Sequence, residues 1–277
     1  MVSGNSENLF SVEGKIVVFT GGTGVLGSTL ANFLYDQGAK IVLVGRNLKK
    51  SQQLIAEWAG TPVTALAIET DIMDRESLET AAREILETFG RIDCLINAAG
   101  GNHPQATTNG DMPFFDIPRE AFQYVADLNL LGTVLPSQVF GRILATQGDG
   151  IILNVSSMTA FQPLTRIPAY SAAKAAVSNF TKWLAVHMAQ EYSPQIRVNA
   201  IAPGFFLTEQ NRFLLTDKET GGLTERGQKI IDHTPMDRFG EPGDLFGSVL
   251  WLLSPASKFV TGIVVPIDGG FSAYSGV

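Results

Sequence analysis

The sequence predicts an α/β fold: one doubly wound domain, its seven-stranded parallel sheet covered by helices on both faces. Three observations predict it. Short apolar runs alternate with segments of helical period from Lys15 onward. Seven such runs joined by right-handed crossovers suit a parallel sheet. No Pro/Gly/Ser-rich linker and no internal repeat divides the chain.

In order, KIVVFT (15–20) is a buried strand and Val25 to Gln37 a helix stopped by Gly38. KIVLVG (40–45) is the second strand, followed by a helix from Leu48 to Trp58. VTALAIET (63–70) is the third, followed by a helix from Arg75 to Phe89 that ends at Gly90. CLIN (94–97) is a short fourth strand, and one long helix is expected over Arg119 to Thr146. GIILNVS (150–156) and IRVNAIA (196–202) are strands flanking a helix from Tyr170 to Ala189. Leu245 to Leu253 is the last helix and GIVVPI (262–267) the last strand. Residues 205–240, rich in Thr, Gly and charges, break this rhythm and are expected to form a substrate lid.

A chain of 277 residues has ample core, and shares of 45% hydrophobic and 17% charged residues are ordinary for a globular protein. A net charge of −7 provides no basic footprint for nucleic acid or an anionic membrane. The lone cysteine, Cys94, precludes an internal disulfide, fits a reducing compartment, and in its apolar run is a small buried thiol. The opening MVSGNSENLFSVEG lacks the basic and apolar regions of a signal peptide. Residues 1–12 are therefore expected as a flexible tail and 13–277 as the domain. No uncharged apolar run is long enough to span a bilayer, so a cytoplasmic protein is expected.

FTGGTGVLG (19–27) crowds Gly21, Gly22, Gly24 and Gly27 between the first strand and the first helix. In doubly wound folds this turn meets a dinucleotide pyrophosphate, held by backbone N–H groups and the helix N-terminus. A tight turn with close helix–sheet packing would demand the same glycines. In AYSAAK, Tyr170 and Lys174 stand four apart, on one face of a helix. An ammonium beside a phenol favours the phenolate, so the spacing predicts a tyrosine of lowered pKa acting as general acid/base.

The turn resembles the T-G-x-x-x-G-x-G signature of the short-chain dehydrogenase/reductase family, with its Rossmann-type fold. Thr20, Gly21 and Gly27 match, while Val25 stands at the usual second glycine and Gly24 one place earlier. NAAG (97–100), DLNLLGT, NVSSM, Y-x-x-x-K and PGFFLT (203–208) resemble the family's further motifs, in order, from Lys15 to about Gly270. The resemblance implies hydride transfer at a nicotinamide without a metal, and Asn129, Ser157, Tyr170 and Lys174 as catalytic residues. Ser157 is chosen over Ser156 because it precedes Tyr170 by thirteen positions, the family interval. Tyr170 would exchange the substrate proton, Lys174 hold the nicotinamide ribose, and Asn129 arrange water toward Lys174. Thr208 would meet the carboxamide and Asp71 the adenine, unless Asp71 is a helix cap. The expected cofactor-binding set adds Gly21, Thr23, Gly24, Val25, Leu26, Arg46, Asn47, Ile72, Asn97, Ala98, Gly100, Pro203, Gly204 and Phe206.

The second strand ends VLVGRN, with Arg46 and no acidic residue. An arginine there accommodates a 2′-phosphate, which points to NADP(H), with NAD(H) the alternative. Around the expected cleft the candidate substrate residues are polar: Asn102, His103, Arg166, Gln210 and Arg212. Arg166 is either a surface arginine or a partner for a substrate carboxylate. GGNHPQATT, SSMTAFQPLTRIPAYSAAK, APGFFLTEQNR and DGGFSAYSGV resemble the D-mannonate oxidoreductase (fructuronate reductase) branch of the family. That implies D-fructuronate/D-mannonate interconversion. A gluconate 5-dehydrogenase-like enzyme, another polyol dehydrogenase, a 3-oxoacyl reductase and a non-catalytic dinucleotide-binding protein are the alternatives. The family further implies a homotetramer.

Overall fold

In the computed structural model, which describes residues 9–58, 65–207, 212–217 and 221–276, the seven expected strands are present. They are β1 (Ile16–Thr20), β2 (Lys40–Gly45), β3 (Ala65–Glu69), β4 (Cys94–Asn97), β5 (Gly150–Val155), β6 (Ile196–Pro203) and β7 (Val264–Ile267). All pair in parallel in the order β3-β2-β1-β4-β5-β6-β7. The chain starts in the middle, winds outward to β3, then crosses back to β4. The order therefore reverses between β1 and β4, and a crevice opens at their carboxyl ends.

The helices are α1 (Val25–Asp36), α2 (Leu48–Ala56), α3 (Arg75–Phe89), α4 (Arg119–Ala126), α5 (Gly132–Gln147), α6 (Pro168–Glu191), α7 (Arg212–Leu215), α8 (Glu225–Asp232) and α9 (Phe246–Leu253). Strand alternation divides the core into two layers. Val18, Val42 and Leu95 face α3, α5 and α6, while Val17, Phe19, Ile41 and Cys94 face α1 and α9. Glycine ends two of these helices: Gly90 after α3 (φ 77°) and Gly148 after α5 (φ 75°) adopt the left-handed conformation a C-cap requires. Cys94 lies wholly in the core, where burial pushes its thiol up to about 12.

The chain departs from the sequence expectation in two places. The single long helix is interrupted: a π-turn occupies Asp127–Leu131 between α4 and α5. Asn129 causes this locally, because its Nδ2 donates to Val125 O at 2.8 Å, the carbonyl that α-geometry assigns to its own backbone N–H. Within 205–240 the described residues include regular structure that the composition did not suggest. Thr224 caps α8 by accepting from Gly227 N, and Phe206 and Gly240 form a parallel bridge at the base. Among the described residues no helix is long and apolar enough to cross a membrane.

Candidate active site

The turn after β1 shows which of its glycines the backbone demands. Gly21 has φ 68°, and a Cβ there would lie 2.6 Å from backbone atoms of Ala99. A Cβ on Gly27 would run into Gly21 O, so α1 packs directly on the turn. Gly24 is the N-cap with ordinary dihedrals (φ −71°, ψ 167°), and its missing Cβ would meet only Gly21 O, at 3.3 Å. Val25 is the first residue of α1, beyond the crowded contacts, which is why a side chain is tolerated there. Gly24 offers no side-chain cap and the first turn carries no acid. The leading N–H groups of α1 are thus left facing the crevice, the arrangement that receives an anion.

Two cavities meet at this turn. One, of about 520 Å³, runs over Thr23 and Gly24 to Arg46, Asn47, Asp71 and Ile72, with Ala98 and Gly100 on its floor. The other, of about 340 Å³, is lined by Val25, Leu26, Tyr170, Lys174, Pro203, Gly204 and Phe206. Both touch Gly21, Gly24, Ala98 and Gly100, so they form two lobes of one groove across the switch point. A long two-part anion fits this shape: one half toward Arg46, the middle over the N-terminus of α1, the other half beside Tyr170.

Tyr170 and Lys174 line the second lobe, and Asn129 and Ser157 touch residues of that lining. Asn129 is fully buried, donates to Gly101 O at 2.7 Å and accepts from Gly101 N at 3.2 Å. Gly100 sits against both Asn129 and Lys174: a Cβ there would lie 2.6 Å from Asn129 Oδ1 and 3.1 Å from Lys174 Nζ. Lys174 Nζ donates to Val155 O at 2.8 Å and lies 5.6 Å from the centre of the Tyr170 ring. Ser157 hydrogen-bonds Tyr170, while Ser156 is spent elsewhere, donating to Lys174 O at 3.0 Å and meeting Ser178 Oγ at 2.6 Å.

The electrostatics correct one expectation. Burial pushes the Tyr170 phenol above its ordinary value, and the hydrogen bond with Ser157 opposes this only in part. Lys174 does not provide the expected depression, because burial lowers its own ammonium from 10.5 to about 8. Above about pH 8 the unfolded chain therefore holds more protons than the folded one, so stability rises with pH until the unfolded lysine also titrates. Relative to Lys174→Met, the wild type is expected to gain up to about 3 kcal/mol across that window. Urea titrations below and above pH 8 read the gain; a pH-independent difference would refute it.

The model of a family described as enoyl-(acyl carrier protein) reductase matches residues 24–272. The chain belongs to the short-chain dehydrogenase/reductase family. Like the family, it is an NAD(P)-dependent oxidoreductase. An uncharacterized oxidoreductase of Bacillus subtilis, UxuB, is 49% identical over 276 residues, 96% of this chain and 98% of the relative. A Haemophilus influenzae structure with bound NAD, provisionally described as a D-mannonate oxidoreductase, is 43% identical with a TM-score of 0.87, covering 96% of this chain and 98% of that one. A gluconate 5-dehydrogenase from Burkholderia cenocepacia, in complex with NADP and tartrate, is 28% identical with a TM-score of 0.84, covering 98% and 100%.

Other expected site residues of this short-chain dehydrogenase/reductase divide by what their side chains touch. The Asn97 side chain, 1% exposed, turns into the core and donates to Ser137 and Asn154, which leaves its backbone for the expected cofactor contact. Asp71 is no helix cap, since Asp74 caps α3; Asp71 lines the groove with its Oδ1 accepting from Met73 N. Asn102 donates to Thr107 Oγ1 and His103 Nδ1 accepts from Gln105 N, so both side chains brace their own loop. Arg166 is exposed, and its carbonyl ties the loop before α6 to Thr108 N at 2.9 Å. Arg212 lies exposed in α7. Thr208 and Gln210 fall outside the described residues.

The sequence reading missed Arg226. It stands exposed in the first turn of α8, where partial desolvation first and the charge of Arg166 second lower its guanidinium pKa. Arg166 and Arg226 therefore lie within reach of each other's field, as does the carboxylate of Glu225, and no described carboxylate forms a salt bridge with either arginine. The available signal was Arg226 in the middle of a lid that had no assigned helix.

Proposed function

We propose that the chain interconverts a keto sugar acid and its hydroxy acid, D-fructuronate and D-mannonate, with a nicotinamide dinucleotide. The reading is carried by the gathering of Asn129, Ser157, Tyr170 and Lys174 around the groove's second lobe, with Arg166 and Arg226 within reach of each other's charge. When bound, the nicotinamide donates or accepts the hydride. Tyr170 moves the proton at the substrate oxygen, and its raised pKa keeps the phenol protonated in the ligand-free protein, ready to act as an acid in reduction. Ser157 donates a hydrogen bond to the same oxygen as charge develops. Lys174 holds the ribose, Asn129 fixes the backbone around Gly101, and the segment 205–240 covers the substrate. Arg166 and Arg226 pair with the carboxylate, which relieves their mutual repulsion.

The Haemophilus influenzae relative supports this substrate. The Burkholderia cenocepacia relative, holding tartrate, supports the second reading of a gluconate 5-dehydrogenase-like enzyme. Arg46, exposed at the end of β2 in the first lobe, supports NADP(H) over NAD(H). The groove between α5 and α6, where Phe180, Trp183 and Tyr192 stand among polar residues such as Arg142 and His187, supports assembly into a homotetramer.

The deciding assay follows reduced-cofactor oxidation with D-fructuronate and with 5-ketogluconate, using NADPH and NADH separately. D-fructuronate is expected to have the higher kcat/KM, and NADPH the higher of the two cofactors; the reverse order for either pair overturns that choice. Arg166→Ala and Arg226→Ala should each raise the KM for the acid about tenfold or more, the value of a charge-assisted hydrogen bond, with little change for an uncharged polyol. Equal losses on both substrates would refute a carboxylate clamp.

A further inference from the structure

A polar seam crosses the otherwise apolar core beneath Asn129. Asn97 of β4 and Asn154 of β5 stand side by side in register. The Asn97 amide donates to Asn154 Oδ1 and to Ser137 Oγ, each at 2.9 Å, and Asn154 donates to Thr181 Oγ1 at 2.9 Å. Across from them, along the π-turn and α5, every fourth side chain reaches back one turn. Asn129 donates to Val125 O at 2.8 Å, Thr133 to Asn129 O at 2.8 Å and Ser137 to Thr133 O at 2.7 Å. All of these polar side chains are buried.

Local backbone chemistry leaves this stretch weak. The π-turn replaces the regular ladder over Asp127–Leu131, and Pro136, inside α5, has no N–H to give. The side-chain bonds span the same residues. They also have a direction. Because the Ser137 hydroxyl donates to Thr133 O, its oxygen accepts from Asn97 Nδ2, which fixes that amide and leaves Asn97 Oδ1 buried without a partner. A fold that needed only packing here would do better with apolar residues, since a buried amide is costly unless fully paired.

We propose that Thr133 and Ser137, anchored by the Asn97–Asn154 pair, are positioning residues that hold the π-turn so that Asn129 grips Gly101 beside Lys174. This rests on the reading of Asn129 as part of the active site. The π-turn is thereby tied to the middle of the sheet, and its rotation about the helix axis requires breaking the seam.

The test combines amide hydrogen exchange on the ligand-free protein with steady-state kinetics. Ser137→Ala and the near-isosteric Thr133→Val should raise exchange at residues 127–131 and at Gly101 about tenfold, one net hydrogen bond's worth, while the central strands keep their protection. The same variants should lower kcat about tenfold with the cofactor KM within about twofold, and Thr133→Ser should restore both readouts. Wild-type exchange and kcat in both variants would overturn the proposal. So would local exchange without a fall in kcat, or a fall in kcat that accompanies uniform loss of protection. Tyr170→Phe is run alongside: retained turnover there would remove the active-site reading, while the exchange pattern would still decide whether the seam holds the turn.

Discussion

Tyr170→Phe is expected to lower kcat/KM about a thousandfold while leaving dinucleotide affinity within a few-fold of the wild type. The substitution removes one oxygen from a half-buried ring whose hydroxyl bonds, among the described residues, with Ser157. The fold therefore has little reason to change, and the loss isolates proton transfer. Positioned general acids contribute about 10²–10⁴ in rate. Nothing described lies ready to replace the phenol: Lys174 is held by Val155 O, and His103 is turned to its own loop. Initial rates with the preferred sugar acid, paired with fluorescence titration of the reduced cofactor, give both numbers. Turnover within tenfold of the wild type would show that the proton travels by another route.

Gly21→Ala and Gly24→Ala are expected to separate folding from binding within one turn. Gly21 combines a left-handed backbone, costing an alanine about 1–2 kcal/mol, with a Cβ that would meet Ala99 backbone at 2.6 Å. Overpacking of that kind adds about 1–3 kcal/mol. A loss of about 3 kcal/mol or more, set against a typical total of about 5–15 kcal/mol, should move the urea midpoint far below that of the wild type. Gly24→Ala should cost no more than about 1 kcal/mol, since its dihedrals suit any residue and its Cβ would meet only Gly21 O, at 3.3 Å. Its methyl would instead project at the N-terminus of α1, where the groove's two lobes meet, and should weaken dinucleotide binding at least tenfold. Equal stabilities for the two variants would contradict this division of labour.

The fold was legible because its signals are local. Each strand is a short apolar run bounded by a turn residue, and Gly38, Gly90 and Gly148 all take positive φ where the chain must stop. The catalytic candidates came from the family resemblance in motif order and interval, and the structure adds a physical reason to prefer Ser157 over Ser156: the latter's hydroxyl is already committed to Lys174 O and Ser178. What could not be read depended on three-dimensional neighbours. The sequence does not show that Lys174 enters a site dry enough to lose half its protons near pH 8, so the tyrosine shift ran opposite to expectation. Asn97 sits in a motif that looks like a cofactor loop, yet strand alternation directs its side chain inward to Asn154. The π-turn at Asn129 was invisible because amphipathic period alone cannot distinguish a continuous helix from one with an inserted residue. Arg226 was missed because α8 lies in a stretch whose composition looked irregular.

The bridge between Phe206 and Gly240 has an evolutionary consequence. Leu207 N donates to Gly240 O and Gly240 N to Phe205 O, which clasps the two ends of the stretch, and Met236 N donates to Gly269 O beyond β7. A cassette fastened in this way can be lengthened, trimmed or exchanged wholesale without disturbing β6 or the path to α9. Ser157, Tyr170 and Lys174 lie outside that stretch, so its sequence can vary while they keep their places.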